Sequence, residues 1–371
     1  METGFIPPKN NLTRVRKGLE GIEQNRIKIV REATELLDND AIVGFNNFGF
    51  GGSNCHVILQ RFKKQKINGG LPKDDVPKLI CVSGRTDEPV FKILNDISNK
   101  SLDEEYVGLL RQLHKMNNPY HLYRGYAIIS KRSVISKSSK LLQSPRPHFR
   151  VFFGRFVNNF RMLASYMKQF SIFKDFETRI NQILVSHKIK TLQEILDTKE
   201  KVDEDVLVSI CLQLILVDII KELELLPIAV FGDSCGNISI AYYHNVIKLE
   251  EAVSAAIKFS KVNFDSNMNF ETLPNLVDSK DKVLVMANSI NPWKGTIIPN
   301  LSDLPLNDED NFILENGGVN LLGLLGRLYT EGYLPQIHKL YPQIKLPVSR
   351  GTSMISPSIQ WNHEKSWYTF I

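Results

Sequence analysis

The 371-residue sequence predicts an α/β protein whose main sheet is largely parallel. Short apolar runs that are typical of buried strands alternate with segments whose apolar residues recur at helical spacing, and this order favours parallel strands joined by helices. The sequence is 43 % hydrophobic and 23 % charged, which is the balance of an ordinary globular protein. A chain of this length has room for two or three domains and a sizeable core.

The first 62 residues contain two short predicted strands, "AIVGF" and "CHVILQ", which we expect to be buried. Gly49, Gly51 and Gly52 lie between them and predict a tight turn. No helix follows these glycines, so the pattern favours a turn between two core strands over a phosphate-binding loop.

Residues 78–130 predict a small α/β unit. The strand "KLICVSGRT" precedes "DEPVFKILNDISN", a helical pattern with Asp87 and Glu88 in its first turn. A second amphipathic helix, "DEEYVGLLRQLHKM", and a second strand, "YRGYAIIS", complete the unit. The Ser- and Lys-rich run 130–147 is interpreted as a linker.

A third region begins with the strand "HFRVFFG" and continues with helical patterns at about 158–186. Residues 203–224 predict a long central helix, because apolar residues cover most of its surface. The strand "LPIAVFG" follows, and then the helices "NISIAYYHNV" and "KLEEAVSAAIKFSKV".

Residues 263–320 lose this regular order and contain one predicted strand, in "DSKDKVLVMANS". A helix in "VNLLGLLGRLYTEGY" is expected to end near Gly332. The Pro- and aromatic-rich tail beyond it is expected to run extended over other elements.

The apolar runs exclude a membrane protein. None approaches the about 20 residues that a spanning helix needs. The longest run, "VLVSICLQLILVDII", carries Asp218 and predicts a buried helix. The N-terminus also lacks the basic-then-apolar pattern of a signal peptide. We therefore expect a cytoplasmic protein that does not bind a membrane.

Cysteine usage and charge exclude further classes of protein. The four cysteines, Cys55, Cys81, Cys211 and Cys235, have no paired spacing, which predicts a reducing compartment and no metal site. The net charge is +6, and the basic runs "RFKKQK" and "SKRSVISKSSK" lack the interleaved aromatic residues of a nucleic-acid groove. We interpret these runs as solvated linkers and predict no nucleic-acid partner.

The stretch "VFGDSCGN" has the spacing G-x-S-x-G between a predicted strand and a predicted helix. In this context a serine sits on a sharp turn with its hydroxyl exposed, and backbone N–H groups face the developing oxyanion. Ser234 is therefore the candidate nucleophile, and Gly232, Cys235 and Gly236 are the candidate elbow residues. The motif alone also occurs by chance in unrelated proteins.

Four segments in a fixed order give this motif a longer context. They are "GFNNFGFGGSNCHVIL", "LICVSGRT…YRGYAII", "FGDSCGNISIAYYHNVIKLEEAVSAA" and "LGRLYTEGYLPQIHKLYPQIKLPVSRGTSMISPSIQWNHEKSW". Together they resemble part of an animal, insect-type, type I fatty acid synthase. In order, they resemble the end of the ketosynthase, the linker domain, the malonyl/acetyltransferase elbow and the segment that follows the acyltransferase.

The resemblance implies four segments of chain. Residues 1–62 would be the C-terminal remnant of a thiolase-fold ketosynthase, and residues 63–147 the small α/β linker domain between ketosynthase and acyltransferase. Residues 148–320 would be a truncated malonyl/acetyltransferase core, with its parallel sheet and nucleophile elbow. Residues 321–371 would wrap back over the linker domain.

The resemblance also implies a reaction. Acetyl or malonyl groups would pass from coenzyme A to Ser234 as an ester, and then to the phosphopantetheine arm of an acyl carrier domain. The N–H of Cys235 would be one oxyanion donor. The carrier domain would act in trans, because the sequence contains none, and a full-length fatty acid synthase is a further expected partner. No bound cofactor is expected.

Several positions depart from the family pattern. The His before the serine is Asp233, the Glu after the second glycine is Asn237, and the malonyl-binding Arg is replaced by Phe259, which lies between Lys258 and Lys261. The run "FGRFVNN" keeps Gly154, but it has Phe156 at the second glycine and Asn158 near the place of a glutamine.

The catalytic base is the largest departure. Only His244, His338 and His363 follow the serine, and none matches the catalytic position. The catalytic Cys and His residues of a ketosynthase lie upstream of the matched segment, so Cys55 and His56 do not take those roles.

Two hypotheses follow, and the sequence leaves the enzyme assignment open between them. In the first, the chain is a residual acyltransferase, or a hydrolase of acyl thioesters, that uses Ser234. In the second, it is a catalytically inactive fragment that either binds a synthase partner or has no function of its own. The missing His and the missing malonyl-binding Arg favour the second hypothesis.

Overall fold

A computed structural model describes thirteen stretches of the chain. They are residues 4–36, 41–60, 64–99, 101–116, 118–131, 133–142, 149–153, 160–197, 202–232, 235–261, 282–286, 311–313 and 319–355. No helix in these stretches is both long enough and apolar enough to cross a membrane.

Strands and helices alternate along most of the chain. The strands are β1 (Phe5–Ile6), β2 (Thr34–Glu35), β3 (Ile42–Phe48), β4 (Asn54–Gln60), β5 (Lys78–Gly84), β6 (Tyr123–Ile129), β7 (Val134–Leu141), β8 (Phe149–Phe153), β9 (Ala229–Gly232), β10 (Lys282–Met286) and β11 (Asn311–Ile313). The helices are α1 (Glu20–Glu23), α2 (Asp87–Asn99), α3 (Glu104–Lys115), α4 (Phe160–Met167), α5 (Ser171–Ser186), α6 (Leu192–Asp197), α7 (Val202–Glu222), α8 (Gly236–Tyr243), α9 (Leu249–Ser260) and α10 (Val319–Thr330).

The chain divides into two compact units. The first comprises Met1–Gly70 with Lys345–Ser353, and the second comprises Leu71–Ile344 with Met354–Ile371.

The first unit contains the predicted glycine turn. β3 and β4 form an antiparallel hairpin in which Phe45 pairs with Val57. The predicted strands and turn are confirmed, but the prediction that the strands are buried is wrong: Ile42 is 67 % exposed and Phe48 is 75 % exposed. Two paired strands leave both faces of a sheet open, and within the described residues of this unit no other strand pairs with the hairpin.

The second unit begins with an antiparallel sheet of order β5-β6-β7. Side chains alternate across it, as the strand period requires. Ile80 and Val82 lie in one apolar cluster with residues of α2 and α3, whereas Leu79 and Cys81 lie in the main core with residues of α10. The predicted α/β unit over 78–130 is therefore confirmed.

The interpretation of residues 130–147 as a linker is wrong, because Val134–Leu141 forms the edge strand β7. Serine and lysine suit a solvated edge, where the lysine side chains extend outward. Lys137 Nζ reaches Asn95 Oδ1 at 2.9 Å, and Lys140 Nζ reaches Glu331 Oε1 at 2.6 Å.

The second sheet of this unit is parallel throughout, with the order β11-β10-β8-β9. This arrangement confirms the predicted parallel sheet and the strand within 263–320. The predicted central helix is also confirmed: α7 is buried along nearly its whole length and lies within the main core. The crossover from β8 to β9 contains α4 to α7, as parallel strands require.

Helix α10 and the chain after it contact the antiparallel sheet. The Arg124 guanidinium on β6 donates to the carbonyl groups of Tyr329 and Tyr333, at 3.3 and 3.0 Å. Gly332, with φ of 104°, ends the helix region where the sequence predicts. The described part of the tail, up to residue 355, is not simply extended, and residues 356–371 lie outside the described residues. It forms a 3₁₀ turn at Ile337–Leu340, and Tyr341 is buried, where its hydroxyl bonds the Pro77 carbonyl at 2.9 Å.

Candidate functional site

The G-x-S-x-G stretch lies where the sequence places it, between a strand and a helix. β9 ends at Gly232, and α8 begins at Gly236. Asp233 and Ser234 lie outside the described residues. The assignment of Ser234 as nucleophile therefore stays a prediction, whereas the elements on either side of it are as predicted.

Both glycines of the motif stand against the end of the neighbouring strand β8. A Cβ atom on Gly232 would lie 2.8 Å from the Phe153 carbonyl oxygen and 3.1 Å from the Gly236 carbonyl carbon. A Cβ atom on Gly236 would overlap the same Phe153 oxygen and lie 2.8 Å from its carbonyl carbon. Because these neighbours are backbone atoms, the turn requires glycine at both positions.

Cys235 is buried and caps the start of α8 with helical backbone angles. Its carbonyl accepts a hydrogen bond from the Ile238 N–H at 3.2 Å. The first N–H groups of a helix have no partner within the helix and carry partial positive charge. An arrangement of this kind can stabilise a negatively charged oxygen beside the turn.

A polar contact that the sequence analysis missed lies behind α8. Gln213 of α7 is fully buried, and its Oε1 accepts a hydrogen bond from the Ser239 hydroxyl at 3.0 Å. Asp218 lies further along α7, where it accepts from the Tyr242 hydroxyl at 2.7 Å and from Arg179 at 2.9 Å. Polar residues inside an otherwise apolar helix were the sequence signal for this contact.

Burial is the main influence on the ionisation of the Asp218 and Tyr242 side chains. It raises the pKa of the Asp218 carboxyl, and the Tyr242 hydrogen bond and the Arg179 charge oppose that shift. Burial, followed by the bond to Asp218, raises the pKa of the Tyr242 hydroxyl. The tyrosine therefore stays a donor, and Asp218 remains the acceptor of both bonds.

Two of the candidate histidines lie in the described part of the chain, and neither belongs to the elbow turn. His244 follows the last residue of α8, so the eight residues of that helix, about 12 Å of rise, separate it from the turn. His338 lies on the 3₁₀ turn after α10, where burial and nearby Lys115 lower its pKa. His363 lies outside the described residues.

The position of the family's malonyl-binding arginine carries an apolar residue with apolar neighbours. Phe259 of α9 is partly buried and packs against the main core. Lys258 lines a shallow surface pocket with Glu250, Glu251 and Ser254. Gly154, Phe156 and Asn158 of the glycine run lie outside the described residues.

The hairpin residues form no catalytic cluster. Cys55 is exposed, and the ring of His56 is hydrogen-bonded to Asn46 Oδ1 at 2.5 Å. Across the described part of the chain, no three His, Cys, Asp or Glu side chains are close enough together to hold a metal ion.

One family model matches a range of the chain that begins in the first unit and ends in the second. Residues 16–128 match the family model described as the ketoacyl-synthetase C-terminal extension. This range contains the hairpin, strands β5 and β6, and helices α2 and α3.

Similar curated proteins are fungal polyketide synthases. The highly reducing polyketide synthase anuA of Penicillium roqueforti is 23 % identical over an alignment of 283 positions, which covers 69 % of this chain and 13 % of that protein. The highly reducing polyketide synthase fogA of Aspergillus ruber is 22 % identical over an alignment of 402 positions, which covers 94 % of this chain and 16 % of that protein. The chain thus spans less than a fifth of these relatives.

Two solved structures resemble the chain weakly. The acyl transferase domain of ZmaA matches with a TM-score of 0.36 and 14 % identity, over 51 % of this chain and 49 % of that one. The acyltransferase domain from module 8 of the salinomycin polyketide synthase gives 0.40 and 13 %, over 50 % and 49 %. Scores this low carry no argument about this chain.

The sequence matches support a broader family assignment than the predicted animal fatty acid synthase. They connect the chain to polyketide synthases and to the extension of a ketosynthase, and they do not single out an animal fatty acid synthase. The chain is similar to a segment of a type I synthase.

Proposed function

We propose that this chain is an acyltransferase segment of a type I synthase. It takes an acyl group from coenzyme A onto Ser234 and passes it to the phosphopantetheine thiol of an acyl carrier domain. The observation that carries the proposal is the turn between β9 and α8, whose two glycines lie against the Phe153 carbonyl. The similarity to polyketide synthases gives this turn its context.

The proposed reaction has two transfers. The Ser234 oxygen attacks the thioester carbonyl while a general base takes the hydroxyl proton. The C–S bond of the tetrahedral intermediate then breaks, and coenzyme A takes up that proton and leaves as the thiol. The carrier thiol next attacks the seryl ester and regenerates the serine. Backbone N–H groups at the start of α8, with that of Cys235 among them, stabilise the oxyanion in both steps.

We further propose that acetyl groups are preferred over malonyl groups. A malonyl carboxylate is best held by the two parallel hydrogen bonds of an arginine. Phe259, at the matching position, is apolar and packs against the core. Neither Lys258 nor Lys261 offers a planar fork.

The wider assignment also remains part of the proposal. We place residues 1–62 in a ketosynthase remnant, 63–147 in a linker domain, 148–320 in the acyltransferase and 321–371 in a wrapping segment. Fatty acid and polyketide synthesis both need acyl loading from coenzyme A, so the chemistry of the site is the same in either pathway. A cytoplasmic location suits the four free cysteines.

A second candidate function is binding to a full-length synthase without catalysis. The distribution of histidines favours it. The sequence has no His between His244 and His338, and His244 lies at the far end of α8 from the elbow. Serine attack at neutral pH needs a base within hydrogen-bond reach.

Intact-protein mass spectrometry separates the two candidates. The protein is incubated with acetyl-CoA or malonyl-CoA beside the Ser234→Ala variant, and circular dichroism checks that both are folded. An acetyl adduct that forms on the wild type and not on the Ser234→Ala variant supports acyl transfer. A folded wild type without an adduct overturns it and favours the binding role, which capture by a full-length synthase would then test.

A further inference from the structure

We infer that Gln213 and Asp218 of α7 are positioning residues for the elbow, an inference that rests on the proposed acyl transfer. Through Ser239 and Tyr242 they fix α8, whose first N–H groups would meet the oxyanion. We call the contact formed by Gln213, Asp218 and Lys221 of α7 with Ser239, Tyr242 and Asn245 of α8 and its C-terminal end the α7–α8 clamp.

The first contact lies closest to the elbow. Gln213 and Ser239 are both 0 % exposed, and the Ser239 hydroxyl donates to Gln213 Oε1 at 3.0 Å. Ser239 lies three residues after Gly236, within the first turn of α8. A shift of this side chain would therefore move the N–H groups next to the predicted nucleophile.

The second contact lies one helical turn later. The Tyr242 hydroxyl donates to Asp218 Oδ1 at 2.7 Å, and Arg179 of α5 donates to Asp218 Oδ2 at 2.9 Å. The two oxygens of the carboxylate are thus used by two different helices. This double use restricts the rotation of Asp218 and, with it, the position of Tyr242.

The third contact holds the end of α8. Lys221 Nζ donates to the Tyr242 carbonyl at 3.0 Å and to Asn245 Oδ1 at 2.9 Å. A lysine at the C-terminus of a helix is favourable, because the last carbonyl groups lack helical partners. The helix is therefore held by α7 from its first turn to its C-terminal end.

The spacing makes these contacts a single face. Ser239 and Tyr242 are three residues apart, so they lie on the same side of α8 and face α7, and Asn245 extends this contact just beyond the end of the helix. Gly236 meets the Phe153 carbonyl of β8. Strand β8 and helix α7 together determine where α8 begins.

Stability alone is a weak reason for this arrangement. Replacing both partners of a buried hydrogen bond with apolar groups of similar shape can be nearly neutral. The residues of α7 next to Gln213 are apolar, with Leu212, Leu214 and Ile215 buried beside it. A purely structural helix contact could thus be made by leucine, whereas hydrogen bonds restrict direction as well as distance.

The test uses the paired variant Gln213→Leu/Ser239→Ala and the single variant Asp218→Asn in the full chain. The matched control is Ser209→Ala, because Ser209 is also buried on α7 but its hydroxyl bonds the Asp205 carbonyl of its own helix, at 2.8 Å. Hydrogen exchange of α8 amides and single-turnover acylation by acetyl-CoA are measured for each protein, together with Tm.

We expect amide exchange in α8 to rise about tenfold in the clamp variants, with α9 and the control unchanged. The acylation rate constant should fall about 10- to 100-fold, while half-saturation by acetyl-CoA changes less than about twofold. Unchanged exchange in α8 overturns the inference. A fall in Tm with faster exchange throughout the second unit also overturns it, because the clamp would then only support folding. A wild type without acylation overturns the proposed function instead, and the exchange measurement still decides the clamp.

Discussion

Two glycine-rich turns stand out in this sequence, and the structure uses their glycines for different reasons. In the hairpin turn, Gly51 and Gly52 have φ of 101° and 102°, and a Cβ atom on either would meet nothing within 4 Å. In the elbow, Gly232 and Gly236 stand against the Phe153 carbonyl. The hairpin turn requires backbone freedom at Gly51 and Gly52. At Gly49 it requires space within the turn, because a Cβ atom there would lie 2.6 Å from the Ser53 carbonyl oxygen. The elbow requires space against a strand that is distant in sequence.

The surroundings of the two turns differ in the same way. The hairpin is exposed on both faces, whereas the elbow joins the main core through Cys235 and the buried face of α8. The need for a positive φ depends only on the local backbone, so it arises even in a hairpin that is exposed on both faces. The space that the elbow needs is set by another part of the chain, the end of β8, that packs against the turn.

The largest expected effect comes from filling the elbow. Gly236→Ala places a methyl group on the Phe153 backbone, which cannot rotate away, so we expect a loss of at least about 3 kcal/mol in the free energy of unfolding. Thermal or urea unfolding of the second unit measures it. Gly323→Ala is the matched control, and equal stability of the two variants would contradict the tight elbow.

We expect low pH to destabilise the second unit, which contains the elbow, through a group that the hairpin lacks. Burial lowers the pKa of His114 in α3 to about 4, from 6.5, so the folded state keeps this ring neutral. Below pH 6.5 the unfolded chain takes up the proton first. Stability of the second unit is therefore full above pH 6.5 and falls by about 3 kcal/mol as the pH drops towards 4.

Urea unfolding at several pH values, beside the His114→Gln variant, checks this prediction. His114 Nε2 donates to the Pro335 carbonyl at 2.9 Å, and glutamine keeps a donor without titrating in this range. The variant should lose most of the pH dependence. An equal slope in both proteins would assign the acid sensitivity to another group.

A smaller effect is expected at the hairpin. Gly52→Ala forces an alanine into a backbone region that L residues rarely adopt, at a cost of about 1–3 kcal/mol. Because the hairpin belongs to the first unit, we expect faster amide exchange in β3 and β4 and an unchanged second unit. Ser53→Ala, which keeps the backbone geometry of the turn, is the control, and identical exchange in the two variants would contradict the conformational argument.

The smallest effect has the opposite sign. Gly323 lies inside α10 without a positive φ, and a Cβ atom added there would meet no other atom within 4 Å. Alanine at this position lowers the entropy of the unfolded chain, so Gly323→Ala should stabilise the second unit by about 0.5–1 kcal/mol. A matched Gly326→Ala should destabilise it, because its Cβ would overlap the Tyr126 ring. A gain in Tm for both variants would refute the distinction.

Much of the secondary structure was predictable from local pattern. The helix in "DEPVFKILNDISN" occupies Asp87–Asn99 as expected, and strands β8 and β9 pair in parallel as the alternating order indicates. Helical and strand periods are properties of a few neighbouring residues, so the sequence contains them. The edge strand β7 was missed, since a Ser- and Lys-rich run forms a strand only where a neighbour such as β6 offers its hydrogen bonds.

The sequence by itself determined the α/β class, the hairpin and the glycines at the elbow. Only the tertiary structure decided why those glycines are needed, because the Phe153 carbonyl that excludes a side chain comes from a strand far away in sequence. It likewise decided the partners of Gln213 and Asp218, which lie 26 and 24 residues along the chain. Local preferences act within a turn or two of chain, whereas excluded volume and buried hydrogen bonds depend on which distant segments meet.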